Sequence, residues 1–150
     1  MQYTRRMFVK GGLALIALAS LPVTLLAAAW PKTTFDATTA SDAMNALLGT
    51  DVTTASDQID LKVPVIAENG AVVPVTIKTS LQNVQSISIV VKNNPRPMVA
   101  TFELPTGTLP KIASRIKMGE TSDVMAVVKT SNGIYSTAKE VKVTIGGCGG

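Results

Sequence analysis

The chain has 150 residues, of which 46% are hydrophobic and 16% charged, so it can form one small domain with a single core but not two. It contains no histidine and one cysteine, which excludes a Ser-His-Asp triad, a Cys-His pair, a zinc site of His and Cys ligands and an internal disulfide. The formal net charge of +4 falls to +1 once three cations near the N-terminus are set aside. No dense run of Lys or Arg remains, which argues against a nucleic-acid surface.

Residues 1–29 have the pattern of a twin-arginine export signal. Arg5 and Arg6 precede an apolar stretch over residues 11–26, and the small residues 27–29 are those that a signal peptidase requires before a cleavage site. We expect cleavage before Trp30 and export to the periplasm, with membrane contact only during export. The alternative is a permanent membrane anchor, which the glycines and the proline within the apolar stretch disfavour.

One short helix is predicted within Thr33 to Leu48. Ser41 or Asp42 is the expected N-cap, apolar residues follow at helical spacing, and Gly49 stands where a left-handed C-cap falls. The mature domain therefore begins with a helix and changes to a different pattern after Gly49.

Alternating apolar and polar residues predict about seven β-strands from Ile59 onward. In the first, Ile59 to Ile66, the period of two is that of a strand with one buried face. Turns are expected at Glu68-Asn69-Gly70 and at Ser131-Asn132-Gly133, and residues 93–97, with two prolines, predict a rigid connection. The further predicted strands are Val72 to Lys78, Val84 to Lys92, Val99 to Leu104, Ile112 to Met118, Val124 to Lys129 and Ala138 to Ile145.

Short strands without helices between them favour a mostly β fold. We predict an immunoglobulin-like antiparallel β-sandwich of about seven strands over residues 30–145, with the N-terminal helix packed at one end. Strand order is not predicted. If the domain pairs with another sandwich, the region around Val84 to Met98 is the expected contact face.

Residues 146–150 end the chain as Gly146-Gly147-Cys148-Gly149-Gly150, so the only thiol lies among four glycines. Such a segment lacks side chains to pack and is expected to be a thin, flexible arm. The glycines offer no cation to lower the pKa of the Cys148 thiol, so a partner has to activate it. An exposed thiol in an oxidising compartment is a liability, which favours a functional role over an accidental one.

The ending Val141 to Gly150 resembles the C-terminus of the SoxY family, the carrier subunits of the periplasmic sulfur-oxidation (Sox) system. The stretch Ile66-Ala67-Glu68-Asn69-Gly70, followed by Val73-Pro74, agrees with the same family. The resemblance implies a carrier without cofactor or catalytic residues, in which Cys148 holds thiosulfate-derived intermediates. It also implies a heterodimer with SoxZ and transient contacts with the SoxAX c-type cytochrome, the SoxB hydrolase and, where present, the SoxCD sulfane dehydrogenase.

Two other functions remain open from the sequence. A carrier of the ubiquitin-like type also ends in Gly-Gly and bears a thiocarboxylate, here on Gly150, but its activation needs ATP, which the periplasm lacks. A structural or adhesive sandwich could instead dimerise through a Cys148 disulfide. Mass labelling of Gly150 and the activity of Cys148→Ser distinguish these hypotheses from the carrier.

Overall fold

The computed structural model describes residues 31–144. These residues belong to one structural unit, which begins at Pro31. Within it two sheets and a short helical segment form a mostly β sandwich, so the predicted fold class is confirmed.

Two helices precede the strands. The first, α1, is a single turn over Lys32–Asp36, and the second, α2, spans Ala40–Leu48. Gly49 caps α2 in the left-handed conformation (φ 79°), as predicted, and its N–H donates to the carbonyl of Asn45. The predicted N-cap was wrong: Thr39 has the extended backbone of a cap, and its Oγ1 accepts the N–H of Asp42 at 3.1 Å.

Nine strands lie within residues 31–144, against the seven or so predicted. The predicted first strand is divided in two, and a further two-residue strand precedes it, because short segments pair with the distant strand β9 without a periodic pattern of their own. The hairpin turn at Ser131-Asn132 is confirmed by the pairing of Thr130 with Gly133. The strands are β1 (Thr54–Ala55), β2 (Ile59–Lys62), β3 (Ile66–Ala67), β4 (Val73–Thr79), β5 (Val84–Val91), β6 (Met98–Glu103), β7 (Lys111–Ile116), β8 (Ser122–Thr130) and β9 (Gly133–Val143).

The large sheet has six strands in the order β1-β9-β8-β5-β6, with β3 also paired to β9. The small sheet has three, in the order β2-β4-β7. Neighbouring strands are antiparallel, except that β1 and β3 run parallel to β9. The chain thus leaves the edge of the large sheet after β1, crosses to the small sheet as β2, and returns to the same edge as β3.

The main core lies between the two sheets. Alternate residues of each strand point inward, and the aliphatic side chains dominate this layer, as the composition predicts. Its buried members are Ile59, Leu61, Ala67, Val73, Val75, Ile77, Ile87, Ile89, Val91, Ile116, Met118, Val124, Ala126, Val128 and Val141.

The helices cover the outer face of the large sheet, where Ala43 and Met44 of α2 pack against Val90, Met98 and Val127. The expectation of a helix at one end of the sandwich was therefore wrong. The physical reason is that Val90 of β5, Met98 of β6 and Val127 of β8 place apolar side chains on the face away from the small sheet, so this face also has to be covered.

The expected contact face around Val84 to Met98 was also wrong for its strand part. From Ser86 to Val91 every residue of β5 is buried, since the strand lies between β8 and β6 in the large sheet and packed layers cover both faces. Within this region the exposed residues are Gln85, near the start of β5, and residues of the connection that follows the strand.

Candidate functional site

The predicted carrier residues follow the C-terminal end of β9 in the sequence. Cys148, the arm glycines Gly146, Gly147, Gly149 and Gly150, and the export residues Arg5 and Arg6 all lie outside the described residues. What the structure describes is the base from which the arm starts, up to Thr144. Cys148 is the fourth residue after Thr144, a reach of about 14 Å when fully extended.

Hydrogen bonds on both sides hold the last residues of β9. On one side β3 pairs with Lys142 and Val143, the N–H of Lys142 donates to Val65 O at 3.0 Å, and the N–H of Thr144 donates to Ala67 O at 3.1 Å. On the other side the N–H of Val143 donates to Thr121 Oγ1 at 3.0 Å. The domain thus fixes the chain up to Thr144.

Gly70 packs directly against this base. A Cβ at this position would lie 2.4 Å from Met118 O and 2.9 Å from Cγ1 of Val143. The carbonyl of Gly70 also accepts the N–H of Met118 at 2.7 Å, and Asn69 closes the turn by accepting the N–H of Val72. The predicted turn at Glu68-Asn69-Gly70 therefore has a second role, because it seats the backbone of residues 68–72 against the strand that carries the arm.

Two asparagine side chains fasten the loop before β8 to the loop after β5. Asn94 donates from Nδ2 to Lys117 O at 2.8 Å and accepts the N–H of Gly119 at 3.0 Å. Asn93 donates from Nδ2 to Thr121 O at 3.1 Å. These bonds position Thr121 for its contact with β9, and sequence reasoning missed them, since it assigned residues 93–97 only as a rigid connection.

A recess of about 320 Å³ adjoins the base of the arm, lined by Asn93, Gly119, Glu120, Thr121 and Val143. A larger recess of about 940 Å³ lies at the opposite end of the sandwich, beside the hairpin that begins β9. Loops rich in Ser, Thr, Gln and Pro line this larger recess, and Glu103 is the charged residue among them.

Apolar side chains are exposed next to the arm base. Val65 is 75% exposed, Ile66 55% and Val72 50%, and all three flank the turn that packs against β9. Large aliphatic side chains at this exposure are suited to contact with another protein surface.

The described residues hold no cluster of three or more His, Cys, Asp or Glu side chains that could bind a metal ion. Within residues 31–144 no helix combines the length and the apolar character needed to cross a membrane. The pKa of Asp36, in α1, is lowered because Lys32 donates a hydrogen bond to its carboxylate and adds its charge, with a further contribution from Arg96. This ion pair belongs to the helical layer.

Comparison with known proteins gives a consistent result. Residues 44–148 match a family profile described as sulfur oxidation protein SoxY. Among solved structures, the sulfur carrier protein SoxY from Chlorobium limicola f thiosulfatophilum is 40% identical with a TM-score of 0.63, and the match covers 69% of this chain and 94% of that chain. A superoxide reductase (neelaredoxin) from Ignicoccus hospitalis, at 14% identity and a TM-score of 0.55 over 61% of this chain and 95% of that one, shares the fold alone.

No curated protein matched the sequence. The family profile nevertheless spans more than half of the chain, and the solved SoxY structure is similar over most of its length. On this basis the chain belongs to the SoxY family of sulfur oxidation proteins.

Proposed function

We propose that this protein is a periplasmic carrier of sulfur compounds, which holds thiosulfate-derived intermediates covalently on the Cys148 thiol and presents them to partner enzymes. The observation that carries the proposal is the family match, because the matched residues 44–148 include the chain's only cysteine. The fixed arm base supports it, since a carrier has to hold its reactive group at a defined distance from a rigid body.

The proposed reactions require from this chain only an accessible sulfur atom. Oxidative loading joins the Cys148 sulfur to the sulfane sulfur of thiosulfate, so an S–S bond forms, the thiol proton is released to water and two electrons pass to the c-type cytochrome partner. Hydrolysis of the terminal S–SO₃ bond by a second partner then releases sulfate and leaves a persulfide on Cys148. Both reactions use groups of the partners, and this chain acts as a covalent substrate carrier rather than as an enzyme.

The proposal includes the assembly that the family resemblance implies. The domain pairs with SoxZ, and the loaded arm visits SoxAX, SoxB and, where present, SoxCD. Arg5 and Arg6 direct export through the twin-arginine pathway, which transports folded cargo and so allows the heterodimer to cross as one particle.

A reconstituted loading assay tests this function. The protein is incubated with SoxZ, the cytochrome partner and thiosulfate, and the adduct is measured by intact mass before and after reduction. We expect an adduct on the wild-type protein that reduction removes, and none on Cys148→Ser. An adduct on Gly150, or equal thiosulfate oxidation with Cys148→Ser, would contradict the proposal.

A second variant tests whether loading depends on the position of the thiol and not only on its presence. In Gly146→Cys combined with Cys148→Ser, the thiol lies two residues closer to the domain, which shortens its reach by about 7 Å. A small alkylating reagent should modify both thiols at similar rates. Loading by the partner enzyme should fall at least tenfold in the shortened variant if the arm has to enter a recessed active site, and equal loading would show that reach is not required.

A further inference from the structure

The two sheets present four edges within the described residues, and they differ in how they are protected against pairing with another chain. The outer edge of β9 is covered by β1 near its start and by β3 near its end. The small sheet ends in β2, which is four residues long and carries Asp60 and Lys62, and in β7, which carries Lys111 and Arg115. Short strands and charged side chains are the usual means by which proteins keep sheet edges from pairing.

The fourth edge, β6, is longer than β2 and carries less charge than either edge of the small sheet, although a register shift interrupts its pairing with β5 between Ile89 and Val90. Its six residues, Met98-Val99-Ala100-Thr101-Phe102-Glu103, contain no Lys, Arg or Pro, and the single charge stands at the C-terminal end. Within the described residues β6 pairs only with β5. Its side chains from Val99 to Phe102 are half-buried rather than exposed. In both composition and burial this edge strand resembles an inner strand of a sheet.

The direction of the unpaired backbone groups follows from the register. The N–H of Leu104 donates to Gln85 O at 2.8 Å, so Leu104 faces β5. Because backbone groups alternate between the two sides of an antiparallel strand, Phe102 also faces β5, and the N–H and C=O groups of Thr101 and Glu103 point away from the sheet. These outward groups form a row of alternating donors and acceptors.

We propose that the β6 edge binds an extended strand of the second sandwich subunit, so that the six-stranded sheet continues into the partner. The inference rests on the proposed function, which includes pairing with such a subunit, and adds the surface where pairing occurs. An extended polypeptide strand matches alternating donors and acceptors at the spacing of a sheet, and pairing would also bury the half-exposed side chains of Val99 and Phe102.

This position leaves the arm base free. In the large sheet β6 is separated from β9 by β5 and β8, so three strand spacings place it about 14 Å from β9. It also lies at the opposite edge from β3, which holds the arm strand. A partner on β6 therefore leaves Val65 and Ile66 exposed while the arm is in use.

Matched proline variants test the inference. Glu103→Pro removes an outward N–H from the β6 edge, and Ala113→Pro removes one from the β7 edge. The N–H of Thr79 donates to Pro110 O, so Pro110 faces β4, and by the same alternation the backbone groups of Ala113 point outward. Proline is tolerated at such positions, since the N–H it removes is not used within the sheet. Both proteins, in a Cys148→Ser background, are titrated with the second sandwich subunit, and folding is checked by thermal melting.

We expect Glu103→Pro to weaken the heterodimer at least tenfold and Ala113→Pro to change it less than twofold. Hydrogen exchange on the unaltered proteins provides a second measurement: the amides of Thr101 and Glu103 should gain protection in the complex, and those of Ala113 and Arg115 should not. Protection at β7 instead of β6 would overturn the inference, as would a heterodimer unaffected by Glu103→Pro. A homodimer of the chain alone that Glu103→Pro abolishes would assign the edge to a second copy and overturn it too.

The titrations use Cys148→Ser chains and every measurement omits thiosulfate, so the outcome is independent of the carrier chemistry. If wild-type chains form no complex at all, the inference fails, whereas the loading of Cys148 is decided separately by the mass measurement.

Discussion

Replacing Gly70 with alanine should disturb the base of the arm through a single added methyl group. The new Cβ would lie 2.4 Å from the carbonyl oxygen of Met118 and 2.9 Å from Cγ1 of Val143, about 1 Å inside ordinary contact for the first pair. Relief requires a backbone shift, because a carbonyl oxygen cannot rotate away as a flexible side chain can. Overpacking of this kind costs about 1–3 kcal/mol.

The same shift weakens the hydrogen bond from Met118 N to Gly70 O, now 2.7 Å long, at a further cost of about 1 kcal/mol. Together these effects lower the free energy of unfolding by about 2–4 kcal/mol. For a domain of this size that corresponds to a fall in Tm of about 8–16 °C. Because Val143 lies one residue before the last described position, faster amide exchange at Val143 and Thr144 should accompany the loss.

Urea denaturation of the protein measures the effect, with Gly119→Ala as the matched control. A Cβ at Gly119 would have only Asn94 Oδ1 near it, at 4.0 Å, so this variant should stay within about 0.5 kcal/mol of wild type. If Gly70→Ala is as stable as Gly119→Ala, the close packing of this turn against β9 is refuted.

Three further substitutions test contacts elsewhere in the domain. Thr121→Val removes the oxygen that accepts the N–H of Val143, so it should cost about 1 kcal/mol in urea denaturation and speed exchange of that amide; unchanged exchange would argue against the contact. Lys111 lies directly opposite Lys78 on β4, and Lys111→Glu turns this like-charge pair into an opposite-charge pair. The variant should raise the free energy of unfolding by about 0.5 kcal/mol at low ionic strength, and salt should reduce the gain. Thr39→Ala removes the cap of α2 and should cost about 1 kcal/mol, whereas no loss in thermal melting would contradict the assigned cap.

Much of the sandwich was predictable because its strands carry local signals. Ile59 and Leu61 alternate with charged residues and are buried as the period of two predicted. Gly49 marked the end of α2, and Ser131-Asn132 marked the turn between β8 and β9. Both signals are local, because the backbone conformation of a cap or a tight turn is set by residues within a few positions of it. Such features depend on the chain near them, and one sequence is enough to find them.

The remaining features depend on contacts between distant residues. The pairing of Thr54 with Tyr135 spans most of the domain and has no local pattern, so β1 was missed. β9 begins at Gly133 rather than at Ala138 because its first residues pair with β8 after the hairpin. The position of α2 was missed because the helix packs against Val90 and Val127 on the outer face of the large sheet. That these side chains are buried on this face could be inferred only once the neighbours of β5 were known.

The candidate site shows the same division. The thiol and its glycine neighbours were predicted from sequence because their composition is unusual for a packed chain end, and this prediction lies outside the described residues. The contacts that hold the arm base were not, since Gly70, Thr121 and Asn94 come from separate loops that meet only in the fold.

The most direct test of the carrier function is an intact mass spectrum of the protein purified from cells grown on thiosulfate, before and after reduction, with the modification located by peptide mapping. We expect added sulfur or a thiosulfonate group on Cys148 that reduction removes. An unmodified thiol or a simple disulfide dimer, with no adduct even in the presence of the partner enzymes, would contradict the carrier function.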